Sequence, residues 1–130
     1  MPLMRISEAA GFLGVSDDTV RRWVDSGALD AQSDEAGRKV VDGHAVALLA
    51  RDQARAVADP SRVGRSARNR FVGLVTDITM DTVMAQVELQ CGPFRVVSLM
   101  SSEAVRELGL EMGSVAVAVV KSTTVIVETP

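Results

Sequence analysis

Ser66-Ala67-Arg68-Asn69-Arg70-Phe71, residues 66–71, is where the chain changes character. The stretch ends the most basic segment of the sequence and opens a β-prone run that continues to residue 130. From Phe71 onward the apolar residues alternate with a period of two or form short continuous runs, the pattern of strands. Residues 71–78 read as one strand. Met80 and Asp81 form a turn, and residues 82–89 read as a second strand alternating at Val83, Ala85, Val87 and Leu89. Cys91-Gly92-Pro93 is the next turn and residues 94–99 a third strand. Ser101 or Ser102 then caps a short helix, with Glu103 in its first turn, Val105 and Leu108 facing inward and Gly109 at its end. Residues 114–120 and 125–127 supply two more strands.

Working back from residue 66, the period is helical. Ser7 is a plausible N-cap, followed by an apolar face at Ala9, Ala10, Phe12 and Leu13, and Gly14 ends that short helix. Ser16 caps a second helix, with Asp17 and Asp18 at the positive end of its dipole. Val20, Trp23 and Val24 stand at i, i+3 and i+4 and mark a buried stripe beside Arg21 and Arg22, and Gly27 closes the helix. Gly37 marks a turn, Val40 and Val41 suit the returning strand of a hairpin, and Asp42 caps a third helix running toward Val57. Two short helices across a tight glycine turn read as helix-turn-helix. His44 is an ordinary residue near the start of the third helix.

Composition narrows the partners. The formal net charge of the 130 residues is -3. Residues 1–60 carry seven Arg/Lys and ten Asp/Glu, residues 61–70 four Arg and no acid, residues 71–130 three Arg/Lys and seven acids. Positive charge is therefore concentrated at the junction, which Pro60, Ser61 and Gly64 mark as a domain boundary. One cysteine, Cys91, permits no internal disulfide and fits a reducing cytoplasm. No apolar run reaches membrane-spanning length. Aromatics are 3% of the chain, which argues against stacking on single-stranded bases. A single His and a single Cys make a soft-ligand metal site improbable and leave no nucleophile–base pair, so no enzyme is expected.

The chemistry of residues 66–69 is that of an oxyanion wrap: a hydroxyl, an exposed backbone amide, a guanidinium and a carboxamide. Ser101-Ser102 and Lys121-Ser122 repeat the theme downstream. A tetrahedral dianion needs hydrogen-bond donors rather than metal-type ligands. Two cations, Arg68 and Lys121, would balance its charge, and the hydroxyls of Ser66, Ser101 and Ser122 would complete the shell.

Two resemblances bear on this reading. Ile6-Ser7-Glu8-Ala9-Ala10, Gly14-Val15-Ser16, Thr19-Val20-Arg21-Arg22-Trp23 and Gly27-Ala28-Leu29 resemble the N-terminal winged helix-turn-helix of the MerR/excisionase group. Gly37-Arg38-Lys39 sits where that group places its wing. The likeness implies double-stranded DNA as partner, with Arg21, Arg22 and Arg38 as contacts and Thr19 as a weaker one. Ser66-Ala67-Arg68-Asn69-Arg70-Phe71, Gly73-x-Val75, Leu108-Gly109-Leu110-x-x-Gly113 and Val119-x-Lys121-Ser122 resemble a Mop (TOBE-type) domain, the molybdate-binding module. That likeness implies molybdate or tungstate as ligand, held by Ser66, Arg68, the amide of Ala67, Lys121 and Ser122, with Ser101 where the family usually has threonine. Asn69 matches the motif, with a structural role in the turn. The likeness also implies pockets shared between barrels. A chain with one such repeat is then expected to self-associate, as a dimer or as far as a hexamer.

The expected fold class is therefore α+β in two domains. A winged helix-turn-helix spans residues 1–60, a linker 61–65, and a five-stranded OB-like β-barrel with one short helix 66–130. The expected function is a cytoplasmic, molybdate-responsive, DNA-binding transcriptional regulator with no metal-ion cofactor and no membrane partner. The alternative is a cytoplasmic molybdate or tungstate store whose N-terminal module serves assembly.

Overall fold

The computed structural model describes residues 2–55, 58–61, 64 and 68–130. The chain forms two compact units, Met1–Arg55 and Ala56–Pro130. The division falls ahead of the 61–65 stretch that composition marks as linker.

In the first unit, strand β1 (Leu3–Arg5) leads directly into helix α1 (Ile6–Leu13), and helix α2 (Asp17–Asp25) follows a short turn. A hairpin of β2 (Ala31–Ser33) and β3 (Lys39–Asp42) then precedes helix α3 (Gly43–Gln53). The strands form a three-stranded antiparallel sheet in the order β1-β3-β2. Its core is Ile6, Ala9, Ala10, Val20, Leu29, Val41 and Val46. Gly14 ends α1 in the left-handed conformation, at φ 67°. Ser16 Oγ accepts the Thr19 N–H, and Asp42 Oδ2 accepts the Ala45 N–H, so both expected caps form.

Three expectations need correction here. Helix α1 begins at Ile6, one residue before Ser7, because the Arg5 N–H donates to Glu8 Oε1 and makes Arg5 the cap. Phe12 is 73% exposed. The inward stripe runs through positions 6, 9, 10 and 13, and position 12 lies off it. Helix α3 ends at Gln53, with Ala54 extended, and not near Val57. Beyond Leu49 the next inward positions are polar, so further turns would bury nothing; Val57 itself lies outside the described residues. Trp23 is half-buried and packs against the core from its edge.

In the second unit, β4 (Asn69–Met80), β5 (Met84–Cys91) and β6 (Phe94–Ser101) form a meander. Helix α4 (Ser102–Leu108), strand β7 (Val115–Val120) and a 3-10 turn (Ser122–Thr124) follow. The sheet order is β6-β5-β4-β7, antiparallel throughout, with a bulge between Val75 and Asp77. Val75, Ala85, Val87, Leu89, Cys91 and Val105 form its core. Ala85, Val87 and Leu89 are the inward alternation read from sequence. At Gly73 a Cβ would stand 2.5 Å from the Gln90 carbonyl oxygen and 2.6 Å from Cys91 Sγ, so only glycine lets β4 and β5 approach this closely.

Among the described residues the sheet has four strands, not five. Residues 125–127 form no strand, and Ile126 and Val127 are 84% and 86% exposed. Their β propensity finds no neighbouring strand among the described residues to satisfy it. Val83, expected inward, is 66% exposed. Asp81 Oδ1 accepts the N–H groups of both Val83 and Met84, which keeps Val83 in the turn and starts β5 at Met84, two residues later than expected. Leu108, also expected inward, is 67% exposed. It lines an apolar cavity of about 510 Å³ whose walls include Val97 of one edge strand and Val117 of the other.

Candidate functional site

The antiparallel pairing of β4 with β7 ends at the rung Asn69↔Val120. Arg68 immediately precedes that rung on one side and Lys121 immediately follows it on the other, so two cations far apart in sequence belong to the same end of the β4–β7 pair. The Asn69 Nδ2–H donates to the Val120 carbonyl at 3.1 Å and pins the rung from its side chain. This is the structural part expected of Asn69.

Past the rung, the Thr124 N–H and hydroxyl both donate to the Lys121 carbonyl, at 3.0 and 2.8 Å. That tight turn fixes the backbone at Lys121 and Ser122. Both side chains are exposed, as is Arg68. Among the described residues neither Arg68 nor Lys121 has an ion-pair partner. Exposed cations with no ion-pair partner among the described residues, near a hydroxyl, offer the donor chemistry an oxyanion requires. Ser66 and Ala67, expected to complete it, lie outside the described residues, as do Arg62 and Arg65.

Ser101 is elsewhere. Its hydroxyl oxygen caps α4 by accepting the Ala104 N–H at 3.1 Å, which leaves its own proton free to donate. Ser101 pairs with Met84 at the start of β5, and Ala85 pairs with Met80 at the far end of β4. Arg68 precedes the other end of that twelve-residue strand, a contour of roughly 35 Å. Within one chain, then, Arg68, Lys121 and Ser122 flank one end of β4, and Ser101 is linked through β5 to the other. Ser102 is fully buried and donates to the Asp81 carbonyl, so it supports the turn and is closed to a ligand.

Arg70, which sequence reasoning left unassigned, is committed. Its Nε donates to Asp59 Oδ2 at 2.8 Å and its Nη2 to Ser61 Oγ at 2.9 Å. The only hint in the sequence was its place in the arginine run.

In the first unit, Arg21 and Arg38 line one cleft of about 380 Å³ together with Arg5, Ser7, Asp17 and Lys39. Arg5 and Lys39, not singled out from the sequence, share this cleft; Lys39 follows Arg38 in the chain, and Arg5 precedes α1, whose start the sequence places too late. Arg21 pairs with Asp18 and Arg38 with Asp34, each at 3.1 Å. The arginines of both pairs are more than half exposed, so these pairs are weak and exchangeable. Thr19 and Arg22 are not in that cleft: Arg22 Nη2 donates to Thr19 Oγ1 at 3.1 Å along the helix.

Elsewhere the perturbed groups are structural. The backbone N–H groups of Met84 and Val83 hold the Asp81 carboxyl below its ordinary range. Hydrogen bonds from Arg95 and Thr76 do the same for Glu88. Burial pushes the Cys91 thiol up, away from reactivity. Among the described residues no cluster of three or more His, Cys, Asp or Glu could hold a metal ion, and no helix is long and apolar enough to cross a membrane.

Comparison with known proteins bears on the second unit. A family model described as the TOBE domain matches residues 65–127. Over 63 residues the chain is 40% identical to molybdenum-pterin-binding protein 2 of Clostridium pasteurianum, covering 48% of this chain and 93% of that protein. Among solved structures, a molybdate-binding protein from Sporomusa ovata superposes with a TM-score of 0.50 at 28% identity, over 52% of this chain and all of that one. The cytoplasmic molybdate-binding protein ModG, with molybdate bound, gives a TM-score of 0.52 at 40% identity, over 55% of this chain and 52% of its own.

Proposed function

Since the chain belongs to the TOBE-domain family through residues 65–127, we propose that it binds molybdate or tungstate and uses that event to regulate DNA binding by its N-terminal unit. The observation that supports the first half is the β4–β7 register, whose last rung, Asn69↔Val120, has Arg68 just before it on one strand and Lys121 and Ser122 just after it on the other, with no ion pair to either cation among the described residues. Two positive charges match a tetrahedral dianion, and the hydroxyl of Ser122 adds a donor; Ser66 and the Ala67 amide are the further donors the sequence motif offers. Fixed donors spaced for molybdate leave the smaller sulfate under-bonded. Tungstate has the same charge and nearly the same size, so the site takes either.

The site is completed between copies of the chain. Ser101 lies at the other end of β4, so it reaches an anion at Arg68 only from a second barrel. The open sheet supports the same assembly. Edge strands β6 and β7 both line the apolar cavity, and residues 125–127 are exposed. A second copy's residues 125–127 are apolar, β-prone and of the right chemistry to cover it. Binding and oligomer geometry are then linked.

The N-terminal unit reads DNA as a winged helix-turn-helix. Helix α2 enters the major groove, and Arg21, Arg38, Arg5 and Lys39 contact phosphate, with Arg22 and Thr19 further along the helix. The acid partners Asp18 and Asp34 favour a second reading, a molybdate store whose N-terminal unit serves assembly.

Isothermal titration with molybdate, against sulfate and phosphate, tests the site. A gel shift with and without molybdate tests the switch. The regulator requires selective molybdate binding and a change in DNA affinity. Selective binding with no footprint on DNA means the store; no binding overturns both readings.

A further inference from the structure

Arg70 lies two residues past Arg68 on the strand that opens the barrel, and its guanidinium is turned to protein. It holds Asp59 and Ser61 at once, at 2.8 and 2.9 Å, and Asp59 Oδ1 accepts the Ser61 N–H at 2.8 Å. The Arg70 and Asp59 side chains are 16% and 21% exposed. Pro60 stands between the two held residues and fixes its own φ. A half-buried guanidinium with two oriented acceptors is a stronger contact than the exposed pair Arg21–Asp18.

Asp59 and Ser61 precede the residues that match the family, which begin at 65. The clasp therefore fastens chain from outside the matched domain onto that domain's first strand. It also fixes Arg70, two residues past Arg68, so the chain on the strand side of Arg68 is held before an anion arrives and that ordering entropy is already lost. Asp59 also neutralises Arg70, which leaves Arg68 and Lys121, among the described residues at this end of the strand, as the cations offered to a dianion.

We propose that Asp59, Ser61 and Arg70 form a positioning clasp that preorganises Arg68 for the oxyanion. The proposal rests on the reading of Arg68, Lys121 and Ser122 as a molybdate site. Arg70 does not touch the anion; it acts through Arg68.

The test is titration of the full chain with molybdate for four proteins: wild type, Arg70→Gln, Asp59→Asn and the exchanged pair Asp59→Arg/Arg70→Asp. Each single substitution is expected to weaken binding about tenfold, through a less favourable entropy of binding. The exchanged pair remakes the ion pair, and the carboxylate it introduces at position 70 accepts the Ser61 hydroxyl, so affinity returns to within about threefold of wild type. A contact that merely stabilised the fold would lower the melting temperature of the single variants and leave their molybdate affinity alone. That result overturns the proposal, and so does an exchanged pair that stays as weak as the single variants. A wild-type chain that binds no molybdate overturns the underlying site instead, and the clasp's role with it.

Discussion

Lys121→Ala separates a binding site from a solvated patch by moving two quantities in opposite directions. On the proposed site Arg68 and Lys121 face each other just past the last β4–β7 rung, Asn69↔Val120, and like charges facing each other across strands are destabilising. With the charged groups about 8 Å apart in a water-like dielectric, the repulsion is about 0.5 kcal/mol, reduced further by salt. Removing Lys121 therefore stabilises the free barrel by a few tenths of a kcal/mol, a rise of about 1–3 °C in melting temperature for a unit of this size. With molybdate at a hundred times its Kd, wild type gains about 2.7 kcal/mol. Losing one charge-assisted bond costs about 1.5–3 kcal/mol, which weakens Kd by about ten- to 150-fold. At the same molybdate concentration the gain then falls to about 0.3–1.4 kcal/mol. Calorimetric melting with and without molybdate measures both effects. A variant that melts lower than wild type without ligand refutes the repulsion argument. One that keeps the full molybdate-induced rise refutes the site.

Three further outcomes follow from the barrel. Gly73→Ala puts a Cβ against the Gln90 carbonyl and Cys91 Sγ and should cost about 2–3 kcal/mol, read as a lower urea midpoint; adding Cys91→Ala should recover only part, because the backbone contact remains. Asp81 has its carboxyl pKa lowered in the fold, so its contribution is complete above the ordinary aspartate value and lost as pH falls through the folded one; Asp81→Asn should therefore flatten the acid side of the stability–pH curve below about pH 4, and an unchanged curve would contradict the assignment. Ile126→Asp places a charge in the exposed apolar run 125–127. It should shift the chain toward monomer in light scattering without loss of the fold, and an unchanged oligomer would remove that segment from the interface.

Much of the fold was legible because its signals are local. The hydroxyl and carboxylate caps at Ser16, Asp42 and Ser101 act within three residues of themselves, and each forms. The inward alternation of Ala85, Val87 and Leu89 needs only the pleat. The misreadings come from competition that sequence spacing does not display. Val83 fits the alternation but is captured by the Asp81 carboxylate. Phe12 is apolar but off the stripe. Of the candidate site, the two cations stand in motifs about fifty residues apart, and the register brings those motifs to one end of β4. The clasp on Arg70 was not legible, since an arginine among arginines carries no sign of which one is committed to an acid.

Two other misfits share one cause, and it lies outside the single chain. Residues 125–127 have the composition of a strand and, among the described residues, no strand to pair with. Ser101 has a hydroxyl proton that no described acceptor takes, and the register links it to the opposite end of β4 from Arg68. Local signals specified what each segment wants, and one copy of the chain cannot supply it. On the proposed assembly a second copy satisfies both: its terminal segment covers the open sheet, and its Ser101 meets the Arg68–Lys121 pair. These are separable claims. Ile126→Asp attacks the first and leaves every anion donor in place, whereas Ser101→Ala attacks the second and leaves the apolar surface intact. If the terminal segment builds the interface that brings Ser101 to Arg68, Ile126→Asp must weaken molybdate binding even though residue 126 offers the anion nothing. A monomeric Ile126→Asp chain that binds molybdate as tightly as wild type would place the whole site within one barrel and leave Ser101 a helix cap alone.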